Sequence, residues 1–207
     1  MGTALLLATV IGSGIIGERL AGGNVAIALL ANSVATGAAL YALILVFAPV
    51  SGAHFNPAVT LVVALNRQME WGEALAYAGV QIAGAFAGVA AAHAMFGEPV
   101  FFASQHQRTG AAQWWAEGVA TLGLLIVILG SARQSLPAIA AAVGAYIAAA
   151  YWFTASTSFA NPAVTLARTA SDTFAGIRPI DAPAFVLAQL AGAPLAAEVM
   201  RRLVPQK

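Results

Sequence analysis

The hexapeptide Asn56-Pro57-Ala58-Val59-Thr60-Leu61 occurs a second time, 105 residues later, as Asn161-Pro162-Ala163-Val164-Thr165-Leu166. Each copy interrupts a chain that is otherwise almost continuously apolar. Asn is a good helix N-cap, and Pro is favoured at the first helical position, where its missing N–H is not needed. Each copy therefore predicts the start of a short helix, and the repetition indicates two related halves.

The composition of the 207 residues indicates an integral membrane protein. Apolar residues make up 60% of the chain and charged residues only 8%, whereas a soluble domain has about 45–50% and about 25%. The net charge of +1 gives no reason to expect a nucleic-acid partner, and the absence of cysteine excludes disulfides and thiolate sites. No removable signal peptide is predicted, because the N-terminus has no basic n-region or cleavage site.

Hydropathy predicts six spans of roughly 20 residues and two re-entrant half-helices in a single transmembrane domain, 1–207. The predicted spans are Thr3–Leu20, Asn24–Phe47, Trp71–Phe96, Gln113–Gly130, Leu136–Thr154 and Ala182–Leu203, and the predicted half-helices are Asn56–Leu65 and Asn161–Ala170. The repeats cover about 1–96 and 113–207, and the polar connection 97–112 links them. Since three spans per half is an odd number, the halves enter the membrane with opposite orientations, as an inverted 3+3 repeat.

The two half-helices predict a pore. Non-helical backbone at membrane depth is tolerated only where it is buried in protein or lines a wet cavity. Each helix N-terminus carries about half a positive charge, so two of them meeting near the midplane repel cations. The amides of Asn56 and Asn161 can donate to a passing neutral oxygen. An ion-coupled secondary transporter stays open as an alternative, because inverted repeats with broken helices also suit that function.

The arrangement resembles the aquaporin, or major intrinsic protein, family, which carries paired Asn-Pro-Ala motifs. The resemblance covers nearly the whole chain and includes the segment 51–60, the matching Gln81 and Gln189 motifs, and Glu117. It implies an all-α hourglass fold and a homotetramer with one pore in each subunit. It also implies a channel in the cell membrane, not an enzyme. No cofactor is expected, and no residues are spaced as a metal site.

Both termini are expected in the cytoplasm, which the charged C-terminus fits. That orientation would leave five basic residues inside and four outside, which is little positive-inside bias. The four outer residues would be Arg19, Arg108, Arg168 and Arg178.

The family's second constriction falls, by resemblance, on Thr36, Ala149, Ser158 and Val164. Most members carry Arg directly after the second Asn-Pro-Ala, where this chain has Val164. Removing an Arg takes away a fixed charge and several donors and leaves a wider opening. The expectation is a wide, Arg-less filter that passes arsenite, methylated arsenicals, glycerol and water. This filter resembles that of bacterial aquaglyceroporin-like channels associated with arsenic resistance, and an ordinary water or glycerol aquaporin is the alternative.

Other expectations concern residues around the pore. By resemblance, Glu117 holds the non-helical backbone before Asn161, and His54 lines the cytoplasmic mouth. The counterpart of Glu117 in the first span would precede Met1, which leaves the loop before Asn56 without that support. The uncharged part of the first span is about 22 Å long, which is short for a core of about 30 Å. Either a further turn lies upstream, which is the expectation, or this span tilts and thins its surroundings. Tyr151 and the two aromatic residues after it are expected in an interfacial belt.

Overall fold

The computed structural model of the protein describes residues 1–203. Within that range the secondary structure is entirely helical, and the hydropathy of the sequence explains why. The eight helices are α1 (Gly2–Leu20), α2 (Val25–Ser51), α3 (Pro57–Leu65), α4 (Trp71–Phe96), α5 (Ala111–Ser131), α6 (Leu136–Phe153), α7 (Pro162–Arg168) and α8 (Ala182–Leu203).

Six of these helices are long and apolar enough to cross a membrane, and α3 and α7 are the two short ones. The predicted fold class is thereby confirmed. The largest difference in a span's bounds lies in α2, which continues past the predicted end at Phe47, through Pro49, to Ser51. A proline in the last turn removes only one helical N–H, and the helix then ends at Gly52 with a left-handed φ of 73°.

The two halves repeat the same packing. Helix α1 packs on α2 and α4 in the first half, as α5 packs on α6 and α8 in the second. A Cβ on Gly84 would lie 3.5 Å from Cβ of Thr3, and a Cβ on Gly192 would lie 3.4 Å from Cβ of Thr121. Small residues thus permit close helix contacts at equivalent positions of both halves.

The halves join through α2 and α6 and through the two short helices. Helix α2 packs on α6, while α3 contacts α8 and α7 contacts α4. Large apolar side chains cover much of the outer surface, which suits contact with lipid. Examples with more than half of the side chain exposed are Val25, Leu30, Val34, Leu75, Val80 and Leu187.

Candidate functional site: the cavity between the half-helices

A cavity of about 210 Å³ lies within the helix bundle. Its lining on α6 extends from Ile139 to Tyr151, which is about 18 Å of helix at 1.5 Å per residue. Asn56 and Asn161 both lie on its wall, and most of the other lining side chains are apolar. The cavity is therefore elongated along α6 and mostly apolar, with a few polar groups on its wall.

Each motif asparagine caps its own half-helix. The Oδ1 atom of Asn56 accepts from the backbone N–H of Ala58 at 2.9 Å. The Oδ1 atom of Asn161 accepts from Ala163 at 2.9 Å and from Val164 at 3.3 Å. Because the oxygen faces the helix, each side-chain NH₂ group is turned away from the helix start.

Each asparagine also holds the loop of the opposite half. Nδ2 of Asn56 donates to the carbonyl of Ala160 at 2.7 Å, and Nδ2 of Asn161 donates to the carbonyl of Phe55 at 2.8 Å. An amide NH₂ has two hydrogens, so one on each asparagine is left for a molecule in the cavity. The N-termini of α3 and α7 therefore face each other. One N–H donor of Asn56 and one of Asn161 remain available to a molecule in the cavity.

The loops before the two motifs share one backbone conformation. Left-handed φ angles occur at Gly52, Ala53 and Phe55 in the first loop and recur, 105 residues later, at Thr157, Ser158 and Ala160. Such angles are unfavourable for residues with a Cβ, so neighbouring groups must hold the loops in place.

Glu117 holds the second loop. Its carboxylate is fully buried and accepts from the backbone N–H of Phe159 at 2.9 Å and of Ala160 at 2.8 Å. Gln189 completes the cluster, since its Nε2 donates both to the Glu117 carboxylate and to Oγ1 of Thr165, the latter at 2.8 Å. Both carboxylate oxygens of Glu117 therefore accept a hydrogen bond from the backbone of the loop.

The first loop has only part of this support. Nε2 of Gln81 donates to Oγ1 of Thr60 at 3.0 Å, as Gln189 does to Thr165. Within residues 1–203 no carboxylate accepts from this loop, and Oε1 of Gln81 is buried without a partner. His54 lines the cavity here, with Nδ1 3.1 Å from Oγ1 of Thr60.

Three of the four predicted constriction residues line the cavity. Thr36, Ser158 and Val164 are all buried there. Ser158 Oγ has no hydrogen-bond partner within the described part of the chain. A buried hydroxyl of this kind is available to a molecule in the cavity.

The prediction for Ala149 is wrong, because this residue is exposed and does not line the cavity. Val143, Ile147 and Tyr151 share the inward face of α6 at intervals of four residues. Ala149 lies two residues from Ile147, which turns it to the opposite side of the helix.

Tyr151 lies in the cavity rather than in an interfacial aromatic belt. It is 3% exposed, and its hydroxyl lies 3.2 Å from Oγ1 of Thr36. The four-residue interval from Ile147 is the sequence signal that would have identified it. The adjacent Trp152 and Phe153 are exposed, as a belt position requires.

The cavity wall also carries an arginine, Arg168, beside the constriction residues named from the sequence. Arg168 lies four residues after Val164 on α7, so the two residues share one face of that helix. It is 2% exposed, and its Nε donates to the carbonyl of Ala175. This arginine was expected outside the membrane, and the four-residue spacing is the signal that could have placed it.

A second arginine stands beside the first. The guanidinium carbons of Arg168 and Arg108 lie 3.3 Å and 5.2 Å from the ring centroid of Phe159. Arg108 comes from the connection between the halves, and its side chain donates to the carbonyls of Gly176 and Phe174 at 2.7 Å and 3.3 Å. The ring of Phe159 therefore contacts two cations, an arrangement that cation–π attraction stabilises.

His93 and His106 both contact the segment that follows α7. His93 is fully buried in α4, where Nδ1 lies 2.8 Å from the carbonyl of Val100 and Nε2 lies 2.8 Å from Oγ of Ser171. Burial and then the nearby Arg108 lower the pKa of His106 below its ordinary value. His106 is therefore mostly neutral at pH 7 and adds little to the charge of the arginine pair.

No group of three or more His, Cys, Asp or Glu side chains able to hold a metal ion occurs within residues 1–203. The polar groups of the cavity are hydroxyls, amides, one imidazole and one guanidinium. These groups suit hydrogen bonding to a neutral solute.

Comparison with known proteins gives a consistent assignment. Residues 1–135 and 129–207 match the family described as Major intrinsic protein. The chain is 53% identical over 204 residues to the aquaglyceroporin AqpS of Rhizobium meliloti (strain 1021), covering 99% of this chain and 87% of the relative. It is 36% identical over 88 residues to aquaporin NIP1-3 of Oryza sativa subsp. japonica, covering 42% of this chain and 31% of that protein.

A solved structure has the same fold. The aquaglyceroporin from Plasmodium falciparum superposes with a TM-score of 0.79, covering 99% of this chain and 93% of the other. The sequence identity is 18%, so this likeness bears on the fold alone.

Proposed function

Because this chain belongs to the major intrinsic protein family, whose members are channels and not enzymes, we propose that it is a passive channel for small uncharged solutes. The observation that carries the proposal is the cavity with both motif asparagines on its wall. Each asparagine keeps one amide hydrogen for a molecule in the cavity, because its oxygen and its other hydrogen are bound within the protein.

The charge pattern supports a neutral solute. The N-termini of α3 and α7 are linked by the bonds from Asn56 to Ala160 and from Asn161 to Phe55 at the cavity. Each N-terminus carries about half a positive charge. Arg168 adds a full charge to the wall. Together they oppose the entry of cations.

The same pattern argues against an ion-coupled transporter. Coupling needs an ionisable group that exchanges its proton or ion during transport. The buried carboxylate of Glu117 is engaged by two backbone N–H groups and by Gln189, and no carboxylate of residues 1–203 lines the cavity. The one imidazole on its wall, that of His54, lies 3.1 Å from Oγ1 of Thr60 through Nδ1.

The proposed solutes are glycerol, arsenite and methylated arsenicals, together with water. Val164 stands where most family members carry arginine, and Thr36 and Ser158 are small polar neighbours on the same wall. A short apolar side chain leaves more width at that point than a guanidinium would. The relative from Rhizobium meliloti is named an aquaglyceroporin, which supports a solute larger than water.

A channel for water and glycerol alone is the second candidate. Tyr151 and Arg168 both line the cavity near Val164 and fill part of the width that the valine leaves. If these side chains set the narrowest point, arsenicals would be excluded while water and glycerol pass.

The protein is a multi-pass membrane protein with six candidate spans. The proposal places it in the cell membrane as a homotetramer, with both termini in the cytoplasm. It takes residues 1–207 as one channel domain whose repeats, about 1–96 and 113–207, are linked by 97–112. The extensive apolar outer surface supports contacts with lipid and with neighbouring subunits.

The test is a flux panel in proteoliposomes that contain the purified protein. Stopped-flow swelling would measure water and glycerol, and uptake assays would measure arsenite and a methylated arsenical, against protein-free liposomes. The proposal predicts flux of glycerol and of both arsenicals above that of protein-free vesicles. Flux of water and glycerol alone would favour the second candidate, and no flux of any solute would contradict a channel.

A further inference from the structure

Arg108 links the two loops that flank the short helix α7. It lies in the connection between the halves, and it does not line the cavity. Its Nε donates to the carbonyl of Gly176 at 2.7 Å, and its Nη2 donates to the carbonyl of Phe174 at 3.3 Å. Both acceptors follow α7 in the chain, so these bonds hold the guanidinium against the loop that leaves the helix.

The same guanidinium reaches the loop that precedes α7. Its Nη1 donates to the carbonyl of Ser156 and to Oγ1 of Thr157, each at 3.4 Å. The guanidinium carbon lies 5.2 Å from the ring centroid of Phe159, within the range of cation–π attraction. One planar group with its donors in a fixed fork therefore ties the loop before α7 to the loop after it.

The main chain around Arg108 is fixed as well. Its backbone N–H donates to Oδ2 of Asp181 at 2.9 Å, and Asp181 is buried. Two residues earlier, the carbonyl of His106 accepts from the backbone N–H of Arg178 at 2.9 Å. Because both its backbone and its guanidinium are held, Arg108 can fix the position of the loop before α7 rather than follow the loop's movements.

Thr157 shows why the loop before α7 needs this support. Its φ is 60°, a left-handed value that is an outlier for a β-branched residue. At the equivalent place in the first half, 105 residues earlier, the chain has Gly52, for which a positive φ costs little. Strained backbone persists only where its surroundings determine it strongly, and Arg108 contacts Thr157 directly.

The residue after Thr157 meets the cavity. Ser158 is buried, lines the cavity and, within the part of the chain that the structure describes, has a hydroxyl without a partner. The two residues are neighbours in a segment without helical structure, so a change of backbone angles at Thr157 moves Ser158 directly. The position of a hydroxyl in the cavity therefore depends on an arginine that lies outside it.

We propose that Arg108 is a positioning residue for the cavity wall, which holds the strained loop at Thr157 so that the hydroxyl of Ser158 keeps its place for a solute. The inference rests on the proposed channel function and adds to it a residue from the connection between the halves that determines specificity. Glycerol carries several hydroxyl groups on one rigid frame, so its passage depends more on a fixed hydrogen-bonding partner than the passage of water does.

The experiment compares Arg108→Met and Arg108→Lys with the wild type in proteoliposomes, and the readout is the ratio of glycerol flux to water flux. Methionine removes the charge and the donors at similar length, whereas lysine keeps the charge and loses the planar fork. Arg19→Met is the matched control. Arg19 also lies over a phenylalanine ring and donates to a main-chain carbonyl, but its partners, Phe96 and Glu98, lie outside the loops that flank α7.

The ratio separates positioning from a purely structural role, because a loss of folded protein lowers both fluxes together. Arg108→Met is expected to lower the ratio about threefold, the size of effect that follows from one misplaced hydrogen bond. Arg108→Lys is expected to lower it by a similar factor, and Arg19→Met is expected to leave it unchanged.

Thr157→Gly tests the link through the strained loop. Glycine adopts a left-handed φ without steric cost, as Gly52 does in the first loop. The loop then needs less support from outside. When Thr157→Gly is combined with Arg108→Met, the ratio is expected to return toward the wild-type value.

A wild-type ratio in folded Arg108→Met would overturn the inference. A wild-type ratio in Arg108→Lys would also overturn it, because charge alone would then be sufficient. A ratio that Thr157→Gly does not restore would show that Arg108 does not act through the strained loop, and this too would overturn it. If Arg108→Met is not recovered as a folded channel, Arg108→Lys with and without Thr157→Gly decides by the same ratio. Failure of the proposed function looks different, because the wild-type protein itself would then show no glycerol flux.

Discussion

Gly37 of α2 and Gly144 of α6 meet where the two halves of the protein cross. A Cβ built on Gly37 would lie 2.8 Å from the carbonyl oxygen of Gly144, and one on Gly144 would lie 2.5 Å from that of Gly37. Both distances are shorter than van der Waals contact. The two helices that carry Thr36 and Tyr151 to the cavity therefore approach each other as closely as they do only because both crossing residues lack a side chain.

Replacing Gly37 with alanine tests this contact. The added methyl group would push α2 away from α6, and overpacking of this kind costs about 1–3 kcal/mol. We expect Gly37→Ala to lower the denaturant midpoint of unfolding in mixed micelles. Gly79→Ala on α4 is the control, since no atom lies within 4 Å of its added Cβ. Equal midpoints for the two variants would show that the crossing tolerates a methyl group.

Replacing Glu117 with glutamine tests the support of the second loop. An amide NH₂ would face the backbone N–H of Phe159 or Ala160, which leaves a buried donor unsatisfied at a cost of about 1–3 kcal/mol. We expect Glu117→Gln to reduce thermal stability in detergent and to reduce glycerol flux. The exposed Glu73→Gln on α4 is the matched control and should change neither. Wild-type stability and flux in Glu117→Gln would contradict the supporting role.

Replacing Val164 with arginine tests the width of the filter. A second guanidinium one turn from Arg168 would narrow the cavity and place two like charges on one helix face. We expect glycerol and arsenite flux to fall far more than water flux in stopped-flow and uptake assays. Val164→Leu separates added volume from added charge. An equal fall in all three solutes would mean that Val164 does not set size selectivity.

Removing the hydroxyl of Tyr151 tests the polar pair at the same end of the cavity. Its oxygen lies 3.2 Å from Oγ1 of Thr36, and both residues line the wall. Loss of one hydrogen-bonding group costs about 0.5–1.5 kcal/mol, so we expect Tyr151→Phe to reduce glycerol flux about threefold. Tyr41→Phe removes an exposed hydroxyl and should have no effect. Unchanged glycerol flux in Tyr151→Phe would exclude a role for this hydroxyl.

The helices and the polar breaks were predictable from local patterns. Apolar runs of span length, the Asn-Pro starts and the repeated glycines each act within a few residues, so the sequence shows them directly. The contact between the two motifs was also predictable, because identical motifs in an inverted repeat face each other. The hydrogen bonds from Asn56 to Ala160 and from Asn161 to Phe55 show this contact.

The rotation of helices about their axes was harder to predict. The resemblance places Ala149 twelve residues before Asn161, and the non-helical segment 154–161 lies between them. Helical periodicity does not continue through such a segment, so spacing from the motif does not predict which face of α6 lines the cavity. That face is determined by how α6 packs on its neighbours. Arg168 was missed for a different reason, since a charged residue near the end of a short helix usually lies in water. Only the fold shows that Phe159 and Ala175 hold it inside.

The most direct test of passive conduction measures initial glycerol influx into proteoliposomes against external glycerol concentration, with and without an imposed proton gradient. A channel through the cavity between Asn56 and Asn161 predicts influx that rises linearly with concentration and is unchanged by the gradient. Influx that saturates and is driven by the proton gradient would contradict a channel and indicate a coupled transporter.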